Sequence, residues 1–320
     1  MSTLILTQAE IKELCDLSAL IVPLKQAFIA HSTRTGIVPQ RLGSSLPQAD
    51  ASATALLPGL LESIPLYSVK VHSKFPGSQP ATKGAILLFD QTTGDLKAVL
   101  ESSLITAMRT GLVSALATHT LAREDAWNVA LIGAGQQGRW QLRCLAMLRP
   151  LDQVVVYDSN PFAAGTFVAE MARELDAKFI PVANLSEALF DASIVLCATW
   201  SSFPFLFDGM LNEGTHVTSL GADELGKTEL SEDLIAGSSY FCDDRRLTLE
   251  QGTLATLGLD ENTLSAELGE VLAGLKPGRS YAEEQTLFTS IGLAWQDLLL
   301  AYQVYERAMT QGVGLTLRLS

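Results

Sequence analysis

Two stretches of this 320-residue chain carry glycine spacings that could hold phosphate groups, by different chemistry. LIGAGQQG at 131–138 sets Gly133, Gly135 and Gly138 in the order G-x-G-x-x-G, the pattern of a dinucleotide site. GADELGKT at 221–228 fits G-x-x-x-x-G-K-[ST], the pattern of a loop around a nucleoside triphosphate. Electrostatics separate them. Asp223 and Glu224 would project from a loop that must wrap several phosphate oxygens. Each like-charge pair at ~4 Å costs about 4 kcal/mol at an effective dielectric of about 20. We therefore do not read 221–228 as a phosphate cradle. From the residues alone, Asp223 keeps two readings. It is a turn residue at a strand end, or an acid at the carboxyl end of a sheet strand, where ligands bind in open α/β sheets.

The glycine loop at 133 has the context its chemistry needs. The pattern predicts a strand ending at Ile132, a helix beginning near Gln136, and Asp158 closing the next strand. Gly133 permits the tight turn, Gly135 lets the backbone approach a pyrophosphate, and Gly138 lets helix and strand pack closely. The helix N-terminus offers unpaired N–H groups to the anion. Asp158 can accept hydrogen bonds from both hydroxyls of an adenosine ribose. A 2′-phosphate there would meet a carboxylate, and Ser159 and Asn160 supply no cation to offset it. The expected cofactor is NAD, with NADP as the second choice.

These residues need a frame. WNVALIG, QVVVYD, KFIPV, SIVLCAT, THVTSLGA and SYFCDD read as strands separated by helical stretches such as QQGRWQLRCLAML and NPFAAGTFVAEMARELDA. Asn160 and Pro161 suit the cap and first position of the latter. Continuous apolar strands alternating with helices imply a parallel sheet covered on both faces. Ahead of this region the spacing predicts a helix over 7–30, strands over 66–71 and 85–90 around the turn region FPGSQPATKG, and a helix over 104–121. ELSEDLIAG could form a helix after the 221–228 loop, and QTLFTSIGLAWQDLLLAYQVYERAMTQG reads as one long helical pattern that packs back on the first domain. The fold class is therefore α/β: a doubly wound Rossmann sheet plus an α+β domain built from both chain ends. We place the first at 121–295 and the second at 1–120 and 296–320.

Composition narrows the partners. The formal net charge is −13, and no Lys/Arg cluster offers the basic face that a nucleic-acid binder requires. No window approaches the ~18 consecutive apolar residues of a membrane span, and the N-terminus lacks the pattern of a signal peptide. Cys15, Cys144, Cys197 and Cys242 show no C-x-x-C spacing, and Cys144 and Cys197 sit in apolar runs. A reduced, cytoplasmic setting is the expectation. His31, His72, His119 and His216 show no metal-ligand pairing, so no metal site is expected.

Six segments, in order, resemble the ornithine cyclodeaminase/mu-crystallin family: VPQR at 38–41, VKVHSKFPG at 69–77, LITAMRTG at 104–111, LIGAGQQG at 131–138, GADELGKTEL at 221–230 and SIGLAWQDLLLAYQVYERA at 290–308. The resemblance spans nearly the whole chain. It implies a homodimer that acts on a small imino or amino acid. It also implies that Arg41 and Lys70 bind the substrate carboxylate, that Asp223, the catalytic carboxylate, and Lys70 are the catalytic residues, and that Thr82 contacts substrate. Thr82 follows a turn that departs from the usual Pro-Gly-Asn pattern. Arg109 and Thr110 are assigned to the cofactor phosphates or the adjacent pocket. Gln136, Gln137, Thr199, Ser201 and Gly292 join Gly133, Gly135, Gly138 and Asp158 as cofactor contacts.

The chemistry asks for such a set. An anionic substrate requires cations, and Arg41 can grip a carboxylate with two N–H groups while Lys70 acts as a compact charge. Lys70 is flanked by Val69 and Val71, whose side chains point to the opposite face of the strand. The reaction expected is hydride transfer to the C=N carbon of a cyclic imino acid, Δ1-pyrroline-2-carboxylate or Δ1-piperideine-2-carboxylate, to give L-proline or L-pipecolate. Ornithine cyclodeamination is the rival. The ornithine-specific enzymes resemble a pattern with Cys-Pro after the catalytic Asp, where this chain has Glu224-Leu225, and they carry a longer tail than one ending at Ser320. Alanine dehydrogenase stands third. A cofactor-binding protein with little catalysis, as in mu-crystallin, stands fourth, and the retention of Lys70 and Asp223 argues against it.

Overall fold

The computed structural model describes residues 2–33, 40–47, 49, 51–78 and 80–318. Val38 and Pro39 of the VPQR segment, and Gln79 of the turn region, lie outside the described residues. From the N-terminus run β1 (Ser2–Leu6), α1 (Gln8–Leu14) and α2 (Ile21–Thr33). Five strands follow: β2 (Gln40–Ser45), β3 (Ser52–Gly59), β4 (Leu66–Lys74), β5 (Thr82–Asp90) and β6 (Leu96–Glu101). Next come α3 (Ser102–Leu121), β7 (Asn128–Ile132), α4 (Gln136–Ala146), β8 (Gln153–Tyr157), α5 (Pro161–Met171), β9 (Lys178–Val182) and α6 (Leu185–Leu189). The chain continues through β10 (Ile194–Cys197), β11 (His216–Ser219), α7 (Glu232–Ala236), β12 (Ser239–Cys242), α8 (Arg245–Gln251), α9 (Thr253–Leu257) and β13 (Leu264–Glu267). It closes with α10 (Leu268–Leu272), β14 (Thr286–Thr289), α11 (Ala294–Gln311) and β15 (Leu315–Arg318).

Two compact units result. The first joins Met1–Ala27, Thr35–Arg109 and Leu293–Ser320; the second joins Phe28–Arg34 and Thr110–Gly292. The first unit is built on a seven-stranded sheet ordered β15-β1-β6-β5-β4-β3-β2. Its pairs are antiparallel except β1 with β6. Strand alternation decides what lies beneath it. Along β4, Leu66, Ser68, Lys70, His72 and Lys74 are buried while Val71 between them is exposed. The inward face of this strand is thus largely polar, and α11 packs across β3, β4 and β5.

The second unit holds an eight-stranded parallel sheet ordered β13-β12-β14-β11-β10-β7-β8-β9. Its inner strands β10 and β11 are buried along their whole length, as strands covered on both faces must be. From β7 the chain runs outward through β8 and β9, then returns to start β10 on the other side. The adjacent β7 and β10 therefore form the topological switch point, where such sheets bind ligands. α5 begins at Pro161, with the Asn160 side chain accepting from the Phe162 N–H.

Two expected elements are corrected. The helix expected over 7–30 is broken into α1 and α2, with Cys15 extended between them. The backbone N–H of Asp16 donates to Gln303 of α11, and Arg307 reaches its carboxylate, so tertiary bonds replace the helical ladder there. Pro23, which suits only the first turn of a helix, marks the restart. The long helical pattern at the C-terminal end is also divided. TLFT at 286–289 is the buried strand β14, lying between β11 and β12, and the helix starts at Ala294. Among the described residues no single helix is long and apolar enough to cross a membrane.

Candidate active site

The carboxylate-binding candidates meet on the buried face of the first sheet. Register puts Arg41 opposite Leu56 and Leu56 opposite Lys70, so the two residues share one row, their backbones about 9–10 Å apart across β3. Thr82 lies opposite Lys74, further along the same face. Lys70 is 1% exposed. Its Nζ donates to Asp297 Oδ1 of α11 at 2.9 Å, and Arg109 Nε donates to the same oxygen at 3.3 Å. Arg109 Nη1 also donates to Gln296 Oε1 at 2.9 Å. Thr110, buried, follows Arg109 in α3.

The charges around Lys70 are unequal. Asp297 opposes Arg109 and Arg41, and burial pushes the Lys70 ammonium down to about 8. Burial works to raise the Asp297 carboxyl, but Lys70 and Arg109 hold it below the ordinary range. Asp297 Oδ2 has no hydrogen-bond partner among the described residues. His72, one step along the face from Lys70, is pushed down to about 2 by burial and by Lys70, Arg41 and Lys74, so its imidazole is neutral. The face therefore presents fixed positive charge in a site shielded from water, where an anion gains most from it.

The dinucleotide candidates gather at the carboxyl edge of the second sheet. Gly133 has φ 103°, and a Cβ there would lie 2.6 Å from the Ala198 carbonyl oxygen, so only glycine fits between the β7 and β10 ends. A Cβ on Gly138 would lie 2.6 Å from the Gly133 carbonyl oxygen, while one on Gly135 would meet nothing within 4 Å. The loop is thus tight underneath and open above. Gly135 is the cap residue of α4 and, as a glycine, caps it with no side-chain hydrogen bond. Gln136 and Gln137 open that helix.

Asp158 closes β8 and ties its end to the loop. Its Oδ2 accepts from the Ala134 N–H and its Oδ1 from the Asn160 N–H, both at 2.8 Å. Each carboxylate oxygen keeps a further lone pair for a ribose hydroxyl. Thr199 and Ser201 follow β10, with the Thr199 hydroxyl accepting from the Ser201 N–H at 3.2 Å. Gly292 has φ 85°, and its N–H donates to Asp243 at 2.9 Å. These residues fit a dinucleotide: a glycine turn, a helix N-terminus and a ribose acceptor stand in the expected order. Among the described residues no group of three His, Cys, Asp or Glu could hold a metal ion.

Asp223, half-buried, stands on the loop after β11. That loop is not a phosphate cradle of the P-loop kind. A P-loop runs directly into a helix at its lysine, whereas here the helix begins only at Glu232. Lys227 instead pairs with Glu224 at 3.3 Å and lies over the Trp200 ring at 4.9 Å. Asp297, Glu229 and Asp243 were not singled out from the sequence. The available signal was an acid inside a buried apolar run, such as Asp297 in LAWQDLLLAY.

Three comparisons bear on the chain as a whole. It is 31% identical to the Δ1-pyrroline-2-carboxylate reductase of Bacillus cereus, over 97% of this chain and 98% of that one. Its fold is similar to the structure of the Thermococcus litoralis Δ1-pyrroline-2-carboxylate reductase in complex with NADH and L-proline. That match has a TM-score of 0.92 and 32% identity, and covers 98% of this chain and 99% of the other. An archaeal alanine dehydrogenase dimer with bound NAD matches at TM-score 0.91 and 29% identity, with 100% of both chains covered. A family model matches residues 1–312, and the chain belongs to the ornithine cyclodeaminase/mu-crystallin family.

Proposed function

We propose that the protein reduces a cyclic imino acid, Δ1-pyrroline-2-carboxylate or Δ1-piperideine-2-carboxylate, to L-proline or L-pipecolate. In class it is an NAD-dependent oxidoreductase acting on imino or amino acids, as its relatives are named. The observation that carries the finer reading is the buried Arg41–Lys70 row with Asp297 beneath it, a cationic face suited to a small carboxylate. The B. cereus enzyme's name and the L-proline in the T. litoralis complex support that substrate class.

In this reading Arg41 and Lys70 hold the substrate carboxylate, and Thr82 adds a polar contact. Holding the carboxylate turns encounter into a positioned reaction. Reduced nicotinamide, when bound, supplies the hydride. Asp223 hydrogen-bonds the imine nitrogen, stabilises its protonated and more electrophilic form, and supplies the proton. Asp297 holds Lys70 and Arg109 in place without touching substrate. Gly133, Gly135, Gln136, Gln137 and Gly138 cradle the pyrophosphate, Asp158 takes the ribose hydroxyls, and Thr199, Ser201 and Gly292 line the rest of the cofactor. Arg109 and Thr110 face the cofactor phosphates. The acting form is a homodimer, in keeping with the dimer described for the archaeal relative.

The test is consumption of NADH by purified protein with Δ1-pyrroline-2-carboxylate, compared with pyruvate plus ammonia and with ornithine. Turnover on the cyclic imine, lost at least 100-fold in Asp223→Asn while NADH still binds, is the expected result. Faster turnover on pyruvate plus ammonia would move the assignment to alanine dehydrogenation. Ammonia released from ornithine without net NADH change would move it to cyclodeamination.

A further inference from the structure

Glu229 is fully buried in the second unit and finds no ion-pair partner among the described residues. A buried charge without a counter-charge is costly unless hydrogen bonds satisfy it. Here three do. Oε1 accepts from the Thr199 N–H at 2.7 Å, and Oε2 accepts from the Ser219 hydroxyl at 2.6 Å and the Gly221 N–H at 2.9 Å. Burial raises the carboxyl above its ordinary range, against the pull of these bonds. The loop backbone lies directly on the carboxylate. A Cβ on Gly221 would sit 2.5 Å from the Glu229 carboxyl carbon, so glycine there is a condition of the contact.

The donors belong to two different strand ends. Thr199 opens the loop after β10, which carries the cofactor candidates Thr199 and Ser201. Ser219 and Gly221 open the loop after β11, which carries Asp223 two residues further on. We infer that Glu229 is a positioning residue that pins the Asp223 loop to the Thr199 loop, so that acid and cofactor are held by one side chain. The inference rests on the reading of Asp223 as the proton-delivering acid.

Only a carboxylate serves. A glutamine of the same volume must turn its NH2 toward the Thr199 N–H or toward the Gly221 N–H, setting donor against donor, and one loop is released. An aspartate is shorter by one carbon–carbon bond, about 1.5 Å, and cannot reach both ends. Misplacement of a catalytic group by about 1 Å can cost 10²-fold in rate.

The experiment is a double-mutant cycle on the full-length protein, read as the single-turnover rate of hydride transfer from NADH to Δ1-pyrroline-2-carboxylate. Glu229→Gln alone is expected to slow the step about 10- to 100-fold. In an Asp223→Asn background the same change is expected to cost less than about threefold, because coupled residues do not add. If the two effects simply multiply, Glu229 acts only through general stability and the proposal falls. Parent-like rates in Glu229→Gln would also overturn it. Should Glu229→Gln not fold, Ser219→Ala removes one of these bonds and leaves both backbone anchors. It is then run through the same cycle, with a smaller loss and the same non-additivity expected. Asp223→Asn turning over at the parent rate would defeat the acid assignment itself, a result distinguishable from multiplicative losses.

Discussion

The two sheets place their candidate chemistry in opposite ways. In the first unit the candidates are side chains on a strand face, and register alone sets Arg41, Lys70 and Thr82 on one side. In the second unit they are loop residues at strand ends, and acids hold those loops, Glu229 and Asp243 fully buried and Asp158 partly so. Asp158 binds the glycine turn, Glu229 the β10 and β11 loops, and Asp243 the N–H groups of Ile291 and Gly292. A pleated face is stiff in itself and needs only a counter-charge for its cations. A loop has no ladder to stiffen it, so its backbone amides must be anchored from elsewhere.

The largest expected effect tests the face. Lys70→Met leaves Asp297 buried with Arg109 as its remaining charge partner. Breaking a buried pair from one side costs about 3–5 kcal/mol, to be read in urea unfolding, and turnover should fall at least 100-fold. Adding Asp297→Asn should recover part of that stability and none of the activity. If stability does not recover, the loss in the single variant was not an uncompensated charge, and the face is held by something other than register and counter-ion.

Gly133→Ala tests the loop side. The new methyl must be accommodated at φ 103° against the Ala198 carbonyl oxygen. Strained backbone of this kind costs about 1–3 kcal/mol. NADH affinity, measured by fluorescence titration, should weaken at least tenfold, while the kinetics of the imino acid at saturating NADH change little. An unchanged affinity would show that the glycine turn serves sheet packing alone.

How much of this was open to a reader of the sequence follows the same division. The glycine turn and the strand–helix alternation from β7 to β12 are local patterns, and the structure has them where the residues indicate. Lys70 stood out because a lysine between two valines in a strand is hard to place on a solvated face. The C-terminal strand TLFT was read as helix because a short apolar run has no period of its own to separate the two. Asp297 and Glu229 were missed for another reason. Their partners lie 227 and up to 30 residues away, and a carboxylate's role is set by donors that only the fold brings to it.

The smallest effect concerns pH. Lys70 is depressed to about 8 from an ordinary 10.5, and its ammonium is the form that binds a carboxylate. kcat/KM for the imino acid should be flat below about 8 and fall about tenfold per pH unit above it. A bound anion stabilises the ammonium, so the same limb should lie at higher pH in kcat. On stability the sign reverses. Between about 8 and 10.5 the unfolded chain holds this proton and the folded one does not, so this group alone favours folding increasingly as pH rises. A kcat/KM profile without a limb near 8 would remove Lys70 from substrate binding.

The distance in sequence between Lys70 and Asp297 also bears on how the molecule is made. Ribosomes add about 5–20 residues per second, so the counter-ion emerges on the order of ten seconds or more after the lysine it must neutralise. By the end of that interval the stretch 110–292, which supplies nearly all of the nucleotide unit, has been made. The nascent chain is therefore free to finish its second unit first, while the half-built first sheet waits with its cations still in water for the helix that will cover them.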